Sequence, residues 1–441
     1  MKPQTQPVNS ASPLAEFLGY NANMFIKRQL FDALKAHLSQ KEISLIVGPR
    51  QAGKTTLMTL LKEHVELGGK KSVSFNLDIE ADRQFFQSQE FLQRKIALEL
   101  GAGDGYVFID EIQRKEDAGL FLKGLYDMSL PYKFIVSGSG SLELKEKIHE
   151  SLAGRKRIFE LSTLTFFEFA NYKTDYRYEH HLPEFFALEK QTARSLLEEY
   201  LGFGGYPRVT LAETVNEKRK IIAELYQSYL ERDIAYLLGL QKTERFTALT
   251  RLMASQIGQL ATISEIANTL NINVATVNNY LWYMEKTFLL HKVTPFFRNK
   301  RKELTKTPVF YFYDLGMRNY ALGSFNGIPA SPSESGFLFQ NFIYLLLKEK
   351  IADTSHQIHH WRTNNKAEVD FVLDKNTEVV PVEVKYKTFS TPETTRSYQN
   401  FVSAYHPPKG FIVHLGNALQ RQINSTQTNF VNWSQLLFDE L

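Results

Sequence analysis

Over the first 170 residues, short continuous apolar runs alternate with stretches whose leucines recur every three or four positions. "ISLIVG" (43–48), "KSVSFNLD" (71–78), "YVFIDEIQR" (106–114) and "YKFIVSGSGSLEL" (132–144) read as strands, and the amphipathic stretch after the first reads as a helix. Strand and helix in alternation predict an α/β core with a parallel sheet. From about Asn171 to Gly258 the period is helical throughout, strongest in "KRKIIAELYQSYLERDIAYLLGL" (218–240). In "TISEIANTLNINVATVNNYLWYMEKTFLLHKV" (262–293) Ser264 is expected to cap a first helix and "NIN" to turn the chain. A second helix then starts near Val274 and buries Val277, Leu281 and Met284. "LLHKVTPFF" (289–297) and "PVFYFYD" (308–314) follow as the strands of a hairpin. Beyond the small-residue linker "GSFNGIPASPSESG" (323–336), "GFLFQNFIYLLLKEK" (336–350) is an apolar helix. "AEVDFV" (367–372) and "VEVKYK" (382–387) then alternate with the period of two that a hairpin requires.

This pattern divides the chain into a loose tail (1–21), a first α/β core (22–170), a helical region (171–258), a helix-turn-helix with a following hairpin (259–322) and a second α/β unit (323–441). At 441 residues several cores are expected, and 43% hydrophobic with 23% charged residues is globular composition. No cysteine is present, which excludes disulfides and cysteine-ligated metals, and the eleven histidines show no ligand spacing. No apolar run reaches the ~18 residues of a membrane span and the first residues lack a leader's apolar core, so no membrane and a cytoplasmic location are expected.

"GPRQAGKTT" matches G-x-x-x-x-G-K-[ST] between a strand and a helix. Gly48, Pro49, Arg50, Gln51, Ala52 and Gly53 would wrap the phosphates of ATP with backbone N–H groups, Lys54 would reach the β- and γ-phosphates, and Thr55, followed by Thr56, would meet Mg²⁺. At the end of "YVFIDE", Asp110 would hold the Mg²⁺ and Glu111 would orient and deprotonate water. Ser137 or Ser139 could report loss of the γ-phosphate, with an ordinary serine turn as the alternative. Arg155 or Arg157 suits a finger given to a neighbouring subunit, against a solvated basic turn. A finger in trans implies a homo-oligomer, a hexamer being the expected ring. Arg208 in "GGYPRV" could sense phosphates if the helical region forms a lid over them.

The second helix of the 262–293 segment would present Thr276, Asn278, Asn279 and Tyr283 outward, and the hairpin tip "RNKRKELTK" carries Arg298, Lys300, Arg301, Lys302 and Lys306 against one acid. Basic residues beside a helix-turn-helix suit phosphate backbones, so DNA of branched or duplex form is the expected partner, with weak sequence specificity. A protein partner remains open.

The order of "GPRQAGKTT", "FIDEIQ", "SGS" and "LAGR", with "FGGYPRV", "YLERDIAYLLGL" and "VFYFYDLGMRN" beyond, resembles a family of AAA+-related bacterial and archaeal P-loop ATPases. The resemblance runs from about residue 22 to the C-terminus. It implies an ATPase core, a helical region, a winged helix and a PD-(D/E)xK-nuclease-like C-terminal domain. Asp370 and Glu383 would then be a second Mg²⁺ site with Lys385 beside it. Where that family usually has glutamate, this chain has Gln340, which brings no charge, so cleavage is not expected. The expected function is a DNA-remodelling or translocating ATPase, with Holliday-junction branch migration as one activity. A nucleotide switch for a protein partner, in defence or signalling, and an ATP-gated nuclease are the alternatives.

Overall fold

A computed structural model of the chain describes residues 25–101, 103–139, 152–235, 243–297, 307–325, 331–363 and 367–438. Helix α1 (Leu30–Ala36) leads into strand β1 (Ile43–Gly48) and helix α2 (Lys54–Leu67). Strand β2 (Ser72–Asn76), helix α3 (Gln89–Leu100), strand β3 (Gly105–Asp110), helix α4 (Ala118–Asp127), strand β4 (Tyr132–Ser139) and strand β5 (Lys156–Glu160) complete the first unit. The strands form a parallel sheet of order β2-β3-β4-β1-β5. β1 is buried along its whole length and feeds two cores by alternation. Ile43, Leu45 and Val47 pack with α3 and α4, while Ile46 meets Leu57, Leu61 and Val65 of α2. Placing β1 between β4 and β5 brings the ends of β1, β3 and β4 together at one rim of the sheet.

Thr165 and Glu168 form a reciprocal capping box that starts helix α5 (Phe166–Lys173). Helices α6 (Leu182–Leu188), α7 (Lys190–Phe203), α8 (Pro207–Leu211) and α9 (Val215–Ser228) follow, and α9 runs on into a π-helical stretch at 229–235. Next come helices α10 (Glu244–Ser255), α11 (Ile263–Leu270) and α12 (Val274–Lys286), the hairpin β6 (Leu290–Val293) and β7 (Val309–Phe312), and helix α13 (Leu315–Leu322). Ser264 does not cap α11; the N-cap residue is Thr262. The cap with a bonded side chain belongs to α12, where Asn273 accepts from Thr276 N–H. One hydrophobic cluster joins α9 and α10 to α12, β7 and α13, with Ile222, Phe246, Val277, Met284 and Phe312 among its members.

Helix α14 spans Pro332–Lys350, so part of the expected linker is its first turn, with proline where no N–H partner is needed. It packs on a sheet of order β12-β13-β11-β10-β9-β8, made by β8 (Gln357–Arg362), β9 (Glu368–Asp374), β10 (Val379–Val384), β11 (Lys409–His414), β12 (Leu419–Ile423) and β13 (Thr426–Asn432). Helix α15 (Arg396–Tyr405) crosses from β10 to β11. The fold is thus α/β, an AAA+-like parallel sheet followed by helices and a second sheet unit. Phe166 of α5 meets Phe342 of α14 at 5.3 Å and Trp433 at 5.2 Å between ring centroids, so α5 belongs to the core of the C-terminal unit.

Candidate functional site

The loop between β1 and α2 is shaped by its two glycines. A Cβ on Gly48 would strike the carbonyl of Leu161, whose own N–H donates to Val47 O at 2.8 Å, and Gly53 has φ +99°, open to glycine at no cost. Lys54, buried at the first position of α2, donates to Gly48 O at 3.0 Å and Pro49 O at 2.8 Å. Thr55, one residue on, donates to Asp110 Oδ2 at 2.7 Å. Ser137, carried on β4 next to β1, donates to Asp110 Oδ1. The parallel register therefore gathers a lysine, two hydroxyls and a carboxylate around the loop. Thr55 and Asp110 supply hard oxygen donors side by side, which fits an Mg²⁺ ion.

Glu111 adopts φ +58° as the chain leaves β3, and Gln113 folds back to donate to its Oε2. Burial first, and the Asp110 carboxylate second, push the Glu111 carboxyl above the usual carboxylate range, with Lys54 opposing. A carboxylate raised in this way is a stronger proton acceptor near neutral pH.

Arg208, on α8, donates to Gln51 of the loop at 3.0 Å and to Glu224 at 3.1 Å. Pro49, Arg50 and Gln51 face the helical region, with Ala52 buried and Thr56 exposed on α2. Arg155 pairs with Asp127 at the end of α4, Nε to Oδ1 at 2.8 Å, and Arg157 lies exposed over the Phe159 ring. The side chain of Ser139 lies outside the described residues.

Arg28 carries no motif and was invisible in the sequence. Its side chain, 7% exposed, donates to Ala52 O of the loop at 2.7 Å, to Glu168 Oε2 at 2.9 Å and to Ser162 O at 2.7 Å. Glu168 in turn accepts from Gln29 N at 2.7 Å and Thr165 N at 3.1 Å. An ion pair built on α5 thus holds the phosphate loop from below.

In the C-terminal sheet, Val382 pairs with Phe371, which brings Asp370, Glu383 and Lys385 to one place. Asp370 accepts from Val384 N at 2.7 Å and from Gln340 Nε2 at 3.1 Å, and that amide also donates to Tyr311 Oη at 3.0 Å. Glu383 pairs with Lys385 at 2.8 Å and accepts from Thr395 at 3.1 Å. Burial, reinforced by Glu383 and opposed by Lys385, raises the Asp370 carboxyl. All four carboxylate oxygens are engaged, and among the described residues no group of three acidic or histidine side chains could hold a metal. Gln340, an uncharged amide, sits on Asp370, so the cluster offers two carboxylates and no third negative charge to a cation.

On α12, Asn278 and Asn279 are exposed, Thr276 and Tyr283 half-buried. Arg298, Lys300, Arg301, Lys302 and Lys306 lie outside the described residues.

A lysine-bearing phosphate loop after β1, with an Asp–Glu pair at the end of β3 two strands away in the sheet, is the arrangement of a P-loop nucleotide-binding fold. In agreement, residues 40–170 match the AAA domain family, while 194–327 and 335–436 match two domains of unknown function, DUF8612 and DUF4143. An uncharacterized protein of Mycobacterium tuberculosis is 27% identical over 376 residues, 85% of this chain and 76% of that protein. Another, from Methanocaldococcus jannaschii, is 25% identical over 382 residues, 84% of this chain and 80% of that one. Among solved structures, the Aeropyrum pernix ORC1 protein in complex with DNA aligns at TM-score 0.31 and 12% identity, over 67% of this chain and 91% of that one. The replication initiator DnaA bound to AMPPCP and single-stranded DNA aligns at TM-score 0.31 and 15% identity, over 59% and 90%. Among the described residues no helix is long and apolar enough to cross a membrane.

Proposed function

We propose that the protein is an ATPase that binds DNA and uses the energy of hydrolysis to remodel or translocate it. The observation that carries this reading is the meeting of Lys54, Thr55, Asp110 and Glu111 at one sheet rim. In it, the loop's backbone N–H groups and Lys54 hold the β- and γ-phosphates, and Thr55 and Asp110 hold the cation. Bound Mg²⁺ would offset the charge that develops on the transferred phosphoryl group. Glu111 orients the attacking water and takes its proton, while Arg208 meets the phosphates from α8 and Arg155 serves a neighbouring copy in a homo-oligomeric, hexameric ring. The segment 259–322 acts as a winged helix, with Thr276, Asn278 and Asn279 towards the DNA and Arg298, Lys300, Arg301, Lys302 and Lys306 on its phosphates. The C-terminal unit is a PD-(D/E)xK-like fold retained for contacts and not for cleavage, since Gln340 occupies Asp370.

The test is the ATPase rate with no DNA, linear duplex and a Holliday junction, each at two salt concentrations. Hydrolysis stimulated by DNA, with binding that weakens with salt, supports the reading, and junction-specific stimulation would extend it to branch migration. Hydrolysis indifferent to DNA, with no salt-sensitive binding, would replace it by a nucleotide switch for a protein partner.

A further inference from the structure

Helix α12 ends against the phosphate loop. Its last turn closes with Leu289 N–H on Met284 O at 2.8 Å and Phe288 N–H on Glu285 O at 3.4 Å, and Phe288 takes φ +60°. That closure places a left-handed residue just past the helix, a position that favours glycine because any Cβ is crowded there. Here it holds a phenylalanine, 4% exposed. The ring does not join the cluster that takes Met284 and Leu289 on either side of it; it joins the core of the parallel ATPase sheet and meets Tyr313 edge-on at 5.3 Å. Thr287, just before, shares a 2.8 Å bond with Tyr229 Oη and donates to Tyr283 O at 2.6 Å. Pro49, Arg50 and Gln51 of the phosphate loop line, with Tyr229, Thr287 and Phe288, one cavity of about 20 Å³. That is room for about one water, so a shift of the loop must move the helix end, packed interiors being nearly incompressible.

We propose that Phe288 is a positioning residue for the phosphate loop, tying the end of α12 to the ATPase sheet so that nucleotide in the loop and duplex DNA on α12 alter each other's affinity. The inference rests on the reading of α12 as a DNA-contacting helix. Such coupling is reciprocal, so it is measurable from either ligand.

The experiment titrates the full-length chain with a fluorescent ATP analogue and Mg²⁺, with and without saturating duplex DNA. Phe288→Gly removes the ring while suiting the turn, and Thr287→Val removes the hydroxyl at nearly constant volume. Phe288→Leu keeps an apolar filler. The wild type and Phe288→Leu are expected to change nucleotide affinity by about fivefold or more when DNA is added. In Phe288→Gly and Thr287→Val the change should fall to within about twofold of none. A purely structural role would lower the melting temperature and leave the ratio intact. Wild-type coupling in Phe288→Gly, or none in the wild type, overturns the inference and leaves the ATPase reading standing. A wild type that binds no nucleotide, or no duplex, would overturn the functional reading itself.

Discussion

Replacing Arg28 by alanine isolates the support under the phosphate loop. The substitution strands Glu168, 4% exposed, beside a 7% exposed partner position, and it removes donors from Ala52 O and Ser162 O. Breaking one half of a buried ion pair costs about 3–5 kcal/mol. Glu168 keeps two backbone donors, Gln29 N at 2.7 Å and Thr165 N at 3.1 Å, which places the loss near the lower end, about 3 kcal/mol. The loop's own share is one hydrogen bond from a charged donor to Ala52, about 1.5–3 kcal/mol, or roughly 10- to 100-fold in ATP affinity if binding must first reorder the loop. Unfolding in urea followed by tryptophan emission reads the first quantity, since Trp433 lies 5.2 Å from Phe166 on the helix that carries Glu168. Titration with a fluorescent ATP analogue reads the second. Arg28→Lys should recover little, because an ammonium cannot span three acceptors in a fixed fork. The double variant Arg28→Ala, Glu168→Gln should be more stable than Arg28→Ala alone, since it removes the orphaned charge and keeps an acceptor for Gln29 N and Thr165 N. If the double variant is the less stable of the two, or if Arg28→Ala binds nucleotide like the wild type, the support mechanism is refuted.

Glu111→Gln should bind ATP at near wild-type affinity and lose about 10²- to 10⁴-fold in turnover, and full-rate hydrolysis would remove Glu111 as the base. Asp314 is fully buried and caps α13 while accepting from Gly205 N at 2.8 Å; burial lifts its carboxyl from the ordinary 3.8 to about 6. Because the folded state holds that proton more tightly, its contribution to stability falls as pH rises from about 4 to 6 and is level above, a drop of about 3 kcal/mol. Asp314→Asn should lack that component, seen as a flatter dependence of the urea midpoint over the same range. Reversing Arg301 and Lys302 to glutamate should weaken DNA binding uniformly across sequences and reduce its salt dependence, and unchanged binding would remove both residues from the proposed interface. Supercoiled DNA incubated with Mg²⁺ or Mn²⁺ should stay intact with wild type and Asp370→Ala alike; nicking by the wild type alone would restore a metal centre there.

What could be read from the sequence had a fixed spacing. The phosphate loop needs glycines and a lysine at set offsets because its work is done by the backbone. The cluster at Asp370 was legible because strand alternation forces Asp370, Glu383 and Lys385 to one side. β5 was missed because an edge strand with exposed Arg157, Ile158 and Glu160 shows no apolar run. The start of α14 was hidden in "SPSE", where proline at the first helical turn looks like linker. Arg28 was illegible for a different reason. Its partners are 24 to 140 residues away, and no local pattern marks a residue whose role is set by the tertiary fold.

The lysine of the phosphate loop carries a kinetic consequence. With Lys54 donating to Gly48 O and Pro49 O, its ammonium is already bonded to the backbone of its own loop. On the ATPase reading proposed above, binding a triphosphate exchanges two internal bonds for bonds to phosphate oxygens, so association should be slower than charge attraction alone would give.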